Sequence, residues 1–462
     1  MKIRILLSGI LLMAVFFLPA LSAQERDPQV STVSNLNRST FGIFRNDVDS
    51  IIDVNYFSTI DMEKRFAFTG AAYNQNNPTF SAGYAQRLGN NYLGLFYNGS
   101  MWFGNSNTYF TTTGGTTLQQ DPADTGITWD NTFAILFGNE VLGGIKLDIG
   151  ILGLDKDTDL VETTTTDSVK TVTTTGAMNF GLTWGHSLNM GSIVFKPKIG
   201  AAYYLDMNKI ETETTTAAGT DTDTEYGYYS GATFYGTRSI LQAIAGVAFE
   251  SVKEDNSVSV FSADYRLLYY FYPDFYEENK LAAGGDPTIG TNDGSKDMRH
   301  YINLRYKKTF TVSERFSAGF SIDGQAVIFS QETADVTKVG STILNEEPVI
   351  KEFSMTIRPS VSGAFMYWVK PEVFSLNAGF SLRIPTYTYT SEEENDEAAD
   401  IVTTTKTHTW DGFSTTVSAG ATFNINEYFA FDLCSYFNIG NNNARNSYID
   451  LSRISLIATL KM

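Results

Sequence analysis

Residues 353–369 read FSMTIRPSVSGAFMYWV, and the period of this stretch decides the fold. Phe353, Met355, Ile357, Val361, Phe365 and Tyr367 alternate with Ser354, Thr356, Arg358, Ser360 and Ser362. A two-residue period belongs to a strand with one apolar and one polar face. The turn residues Lys370-Pro371-Glu372 follow, and the pattern then restarts. Phe374, Leu376, Ala378, Phe380, Leu382 and Ile384 stand against Ser375, Asn377, Ser381 and Arg383. Two long alternating runs around a tight turn make a hairpin.

The same rhythm extends in both directions. Met178, Phe180, Leu182 and Trp184 alternate with Asn179, Gly181 and Thr183, and Phe429, Phe431, Leu433 and Phe437 with Asp432, Cys434 and Asn438. Further tight turns read Gly89-Asn90-Asn91, Gly138-Asn139-Glu140, Asn189-Met190-Gly191, Lys253-Glu254-Asp255-Asn256, Ser313-Glu314-Arg315 and Asn424-Ile425-Asn426-Glu427. Between them lie long polar connections near 105–126, 153–175, 206–226, 272–297, 331–351 and 389–407. Seven tight turns join fourteen strands, and strands at 64–73 and 447–462 bring the expected number to sixteen.

Composition agrees with this reading. The 462 residues are 42% hydrophobic and 14% aromatic but only 18% charged, below the roughly 25% usual in soluble proteins. The formal charge of −18 leaves no basic stripe for phosphates and excludes a nucleic-acid partner. Cys434 has no second cysteine to pair with, which excludes a disulfide scaffold. At the N-terminus, Lys2 and Arg4 precede an apolar run from Ile5 to Leu18, followed by Ala20, Ser22 and Ala23. These are the parts of a secretory signal peptide over residues 1–23.

Short turns at one end and long loops at the other resemble the organisation of bacterial outer-membrane β-barrels. The closing residues add to the likeness: Ile454, Leu456, Ala458, Leu460 and Met462 form one apolar face that runs to the last residue. This resembles the C-terminal assembly signal of that superfamily, with Met462 in place of the usual aromatic residue. The resemblance covers residues 64–462 and is one of architecture. It implies an all-β, transmembrane antiparallel barrel of about sixteen strands, fourteen being the nearest alternative. It also implies a cell outer membrane location with the long loops extracellular, and as partners the membrane lipid, small solutes and the barrel-assembly machinery. Transporters of the long-chain fatty-acid type look similar in size and have an N-terminal plug, but their Asn-Pro-Ala plug motif is absent here and their strands number fourteen. Porins offer the closer strand count.

Residues 24–63 break the strand rhythm. Phe41, Phe44, Val48, Ile51, Ile52 and Val54 recur at helical spacing, with Asp47, Asp49 and Asp53 between them. A short amphipathic helix that plugs the barrel or closes its periplasmic mouth is expected here, with Phe44, Asp47, Asp49 and Asp53 as candidate plug residues.

No constellation points to catalysis. His186, His300 and His408 are isolated in sequence, whereas a hydrolytic site needs a histidine grouped with a nucleophile and an orienting group. Asp155, Asp157 and Asp159 begin like a calcium loop, but Leu160 stands where glycine is needed and Thr166 where glutamate is. No metal site and no cofactor are therefore expected, and the chain is not read as an enzyme.

Charge position is the informative feature. Six connections (105–126, 153–175, 206–226, 272–297, 331–351 and 391–400) hold 29 acids and 7 bases, so the remainder of the chain is slightly basic. If the Phe, Leu and Ile faces meet lipid, parity turns Lys146, Lys196, Lys198, Arg266, Arg305, Lys307, Arg358, Arg383 and Arg453 inward. Asp130, Asp148, Asp264, Asp323 and Asp432 share that face. Of these, Lys196, Lys198, Arg266, Arg305, Lys307, Asp323, Arg358 and Arg383 are the candidate pore-lining residues. Cationic rings favour anionic solutes. The expected function is passive or facilitated diffusion of small, anionic solutes. Two alternatives stand beside it: a surface adhesin or interaction protein using the acidic Thr-rich loops, and a transporter of hydrophobic substrates with an N-terminal plug.

Overall fold

A computed structural model describes Phe44, residues 53–55, and the chain from Arg65 to Lys461 apart from stretches within its connections. The expected signal peptide at 1–23 lies outside the described residues, as does nearly all of 24–63.

Sixteen long strands follow one another around a closed antiparallel barrel. They are β1 Arg65–Asn74, β2 Asn77–Leu88, β3 Asn91–Phe103, β4 Ile127–Asn139, β5 Gly143–Glu162, β6 Ser168–Gly185, β7 Ile193–Asp206 and β8 Ser239–Val252. The circuit continues through β9 Val258–Phe271, β10 Lys296–Ser313, β11 Phe316–Thr333, β12 Val349–Lys370, β13 Phe374–Arg383, β14 Ser414–Asn426, β15 Phe429–Asn441 and β16 Ser447–Lys461. Closure is made by β16 against β1, from Phe66 opposite Lys461 to Asn74 opposite Arg453. A closed ladder leaves no edge along the wall, which lets a sheet cross a bilayer without exposed backbone polar groups.

Side-chain alternation sorts the wall into two faces. Leu93, Leu95, Phe133, Ile135, Leu182, Ile302, Phe365, Leu376 and Leu433 point outward and are each at least 36% exposed. Their strand neighbours Ala134, Leu136, Asn179, Tyr301, Ser362, Ser375 and Cys434 are buried. A continuous apolar outer wall suits hydrocarbon and would be a liability in water.

Two differences from the sequence reading have physical causes. The long connections are largely strands. Lys209–Thr216 pairs with the upper part of β6, and Gly219–Glu225, Glu277–Lys280, Thr288–Thr291, Val336–Val339 and Thr342–Glu346 continue that ladder. A separate hairpin, Tyr387–Asp396 with Ile401–Trp410, stands on the upper part of β12. Threonine is β-branched and alternates with acids in these stretches, so they pair in water as strands. Among them, Asp223 is held above the usual carboxylate range by burial, partly opposed by a hydrogen bond from the Thr224 backbone.

The second difference concerns the inner face. Phe66 and Phe68 of β1, Tyr92 and Phe96 of β3, Leu136 of β4 and Ile457 of β16 point inward and are buried together. Large apolar side chains thus line one side of the lumen, where the lipid-facing rule would have turned them out.

Candidate functional site

The apolar side of the lumen holds the described part of the N-terminal segment. Asp53, Val54 and Asn55 form a turn in which Asp53 Oδ1 accepts a hydrogen bond from the Asn55 backbone N–H (2.9 Å). Val54, 4% exposed, packs into the Phe66–Phe96 cluster. Opposite lie Gly144 and Gly185, which are cross-strand partners on β5 and β6. A Cβ at Gly144 would overlap the Val54 carbonyl oxygen, and one at Gly185 would overlap Asn55 Oδ1. The Ser187 hydroxyl donates to the Asn55 carbonyl oxygen. All of these contacts sit at the tight-turn end, so the chain crosses the inner wall there. Phe44 is half-buried. Asp47 and Asp49 lie outside the described residues, as does most of the expected helix.

The other side of the lumen, β7 to β13, carries an apolar cluster at its loop end and polar rows nearer the tight turns. Its residues stand in rows fixed by register. One row runs Lys198, Gly246, Asp264, Asn303, Gln325, Arg358 across β7 to β12. The next row toward the tight turns runs Lys196, Ala248, Ser262, Arg305, Asp323, Ser360, Arg383 across β7 to β13. Lys307 follows on β10, opposite Ser321. Parity alone brings all eight candidate pore-lining residues to this inner face.

Ion pairs then divide the cations. Lys196 Nζ lies 2.6 Å from Glu250, and Lys198 Nζ 3.0 Å from Asp264. Arg305 Nε lies 2.9 Å from Asp323, and Lys146 Nζ 3.4 Å from Asp148. Lys196 is only 3% exposed, so its carboxylate partner offsets what would be a costly buried charge. Among the described residues, Arg266, Arg358 and Arg383 have no carboxylate within ion-pair distance. Arg358 Nη1 donates to Gln325 Oε1 (3.3 Å), whose Nε2 donates to Asn303 Oδ1 (2.9 Å). Arg266 stacks over the Tyr301 ring, 4.2 Å from its centroid. Both Arg358 and Arg383 are exposed although they point inward, so water reaches the lumen at their level.

Elsewhere on the inner face, the Thr422 hydroxyl donates to Asp432 Oδ1 (2.6 Å). Side chains of Asp130 and Arg453 lie outside the described residues. Inner charges that escaped the sequence reading include Glu250, Asp297, Arg299 and Glu352, the last on the same face of its strand as Arg358. Glu250 shares the parity of Gln242 and Ala248, and Asp297 and Arg299 share that of Tyr301 and Arg305, so the period that found the others applies to them too.

Each histidine contacts its own surroundings. His186 Nδ1 accepts from the Ser187 N–H (2.8 Å), while the Nδ1 atoms of His300 and His408 lie 2.8 and 2.9 Å from the Tyr265 and Tyr387 hydroxyls.

No family model matches the sequence, and no curated protein aligns with it significantly. Solved structures of outer-membrane barrels are similar in architecture. The toluene transporter TodX of Pseudomonas putida gives a TM-score of 0.37 at 9% identity, over 90% of this chain and 94% of that one. A FadL homologue of Pseudomonas aeruginosa gives 0.36 at 12% identity, over 92% and 96%. OmpT of Vibrio cholerae gives 0.29 at 10% identity, over 87% and 98%.

Proposed function

We propose that the protein is an outer-membrane channel through which small solutes diffuse, with a preference for anions. In this reading residues 1–23 direct export and are removed, residues 24–63 narrow the tight-turn mouth, and the acidic strands face outward from the cell. One observation carries the preference. Arg358 and Arg383 are diagonal neighbours on β12 and β13, exposed to the lumen and, among the described residues, without carboxylate partners. Two like charges at diagonal positions, about 7–8 Å apart, repel each other. A passing anion relieves that repulsion, and a cation pays desolvation with nothing in return. Lys198 and Arg305 contribute little to selectivity, because Asp264 and Asp323 neutralise them.

The test is ion selectivity in planar bilayers. Replacing both arginines (R358Q with R383Q) is expected to move the zero-current potential in a KCl gradient toward zero while conductance persists. An unchanged potential in that double variant would remove the assignment.

A surface-interaction role is favoured by one separate observation. Among the described residues, the strand Ile401–Trp410 pairs with Tyr387–Asp396 on one side only, and its residues from Val402 onward are exposed. Such an edge can accept a further strand. Loss of cell or matrix binding on deleting 387–410, with conductance retained, would favour that role.

A further inference from the structure

We propose that the loop-side part of the β7–β11 wall binds a small carboxylate bearing an apolar or aromatic body; this rests on the channel reading above and names its substrate class. Arg266 supplies the charge. Its guanidinium carbon lies over the Tyr301 ring, 4.2 Å from the centroid, a contact that engages the ring face and leaves N–H groups to meet a carboxylate. In register with it are Tyr301 and then Val327 on β11.

The next row toward the loops brings Leu268 and Phe329, about 7 Å away at two residues along a strand. Ile240, Leu268, Tyr270 and Tyr301 pack into one inner cluster, each 7% exposed or less, with Tyr204 and Val327 against it and partly open to the lumen. The Arg299 guanidinium in this row is already engaged. It lies 3.6 Å from Asp297 and within 5.0 Å of the Tyr270 and Phe329 ring centroids. It therefore completes the cluster's wall and leaves Arg266 as the cation open to a ligand.

An inorganic anion would use Arg358 and Arg383 and gain nothing from apolar side chains beside a charge. A cation and an apolar surface one row apart match a one-ring acid, whose carboxylate and ring are separated by a similar length. From the loop end, such a solute meets the partly exposed Tyr204 and Phe329 at the edge of the cluster first, then Arg266 beside Val327, and then the Arg358–Arg383 pair.

Isothermal titration of the folded, full-length mature chain in detergent tests the subsite, with benzoate, acetate and benzyl alcohol as probes. Benzoate is expected to bind at least tenfold more tightly than either of the others. R266Q is expected to weaken benzoate at least tenfold, and V327S to weaken benzoate while leaving acetate unchanged. Equal binding of benzoate and acetate, or benzoate binding unaltered in both variants, would overturn the proposal. Zero-current potentials measured on the same preparation separate the two ideas. Absent anion selectivity with benzoate binding intact overturns the anion preference and leaves the subsite standing.

Discussion

Glu372 sits with φ at 60°, in the turn between β12 and β13. That backbone region costs a residue with a side chain roughly 1–2 kcal/mol, and glycine almost nothing. Other tight turns use glycine for it, as at Gly89 and Gly191. The turn's other bonds end on backbone carbonyls: the Val373 N–H donates to the Lys370 carbonyl (3.1 Å) and the Asn424 side-chain Nδ2 to the Glu372 carbonyl (2.7 Å). E372G preserves both and is expected to stabilise the barrel by about 1 kcal/mol, read from the urea midpoint of folding into lipid vesicles. Asp223 provides a pH-dependent counterpart. Its folded carboxyl holds a proton to higher pH than in the unfolded chain, so its contribution favours the folded loop strands at low pH. That contribution is lost as pH rises from the ordinary carboxylate value through the raised one. D223N is expected to flatten this slope in hydrogen-exchange protection of residues 209–225; an equal slope in the variant would discount burial as the cause.

At the scale of elements, the N-terminal turn is held by a notch made of two glycines and a serine. Burying a valine contributes roughly 1.5–3 kcal/mol, so Val54 is a sufficient anchor only while the notch stays open. G144V fills the space of the Val54 carbonyl and is expected to release the segment. Bilayer conductance should rise, and protease should cut near residues 53–55 in the folded barrel. Unchanged conductance and protection would show that the segment does not narrow the mouth. Nothing in the sequence marked this contact, because Gly144 and Val54 meet only through closure of the wall. The strands themselves were legible, since a period of two and a set of tight turns are local properties. The upper strands were not, because Thr-Thr runs and acids read as polar connection. Only pairing with β6 and β12 turns them into ladder. The inner cations were legible from parity, but their partners were not: Lys196 and Glu250 are 54 residues apart and meet through register.

For the whole molecule, charge is sorted by position. The net of −18 combines acidic upper strands with a wall whose inner face carries lysine and arginine, some neutralised and some not. One side of the barrel's inner face is apolar where Val54 is lodged; the other joins an apolar cluster at its loop end to polar rows, and there, among the described residues, Arg266, Arg358 and Arg383 have no carboxylate within ion-pair distance. The proposed passage runs along the side that carries these arginines. The most direct measurement is the zero-current potential of the folded barrel with residues 24–63 retained, in a bilayer under a KCl gradient. An anion-selective potential that shrinks as salt is raised is expected, because screening weakens the exposed arginines. A cation-selective potential, or a barrel that inserts without conducting even when residues 24–63 are deleted, would contradict the channel assignment.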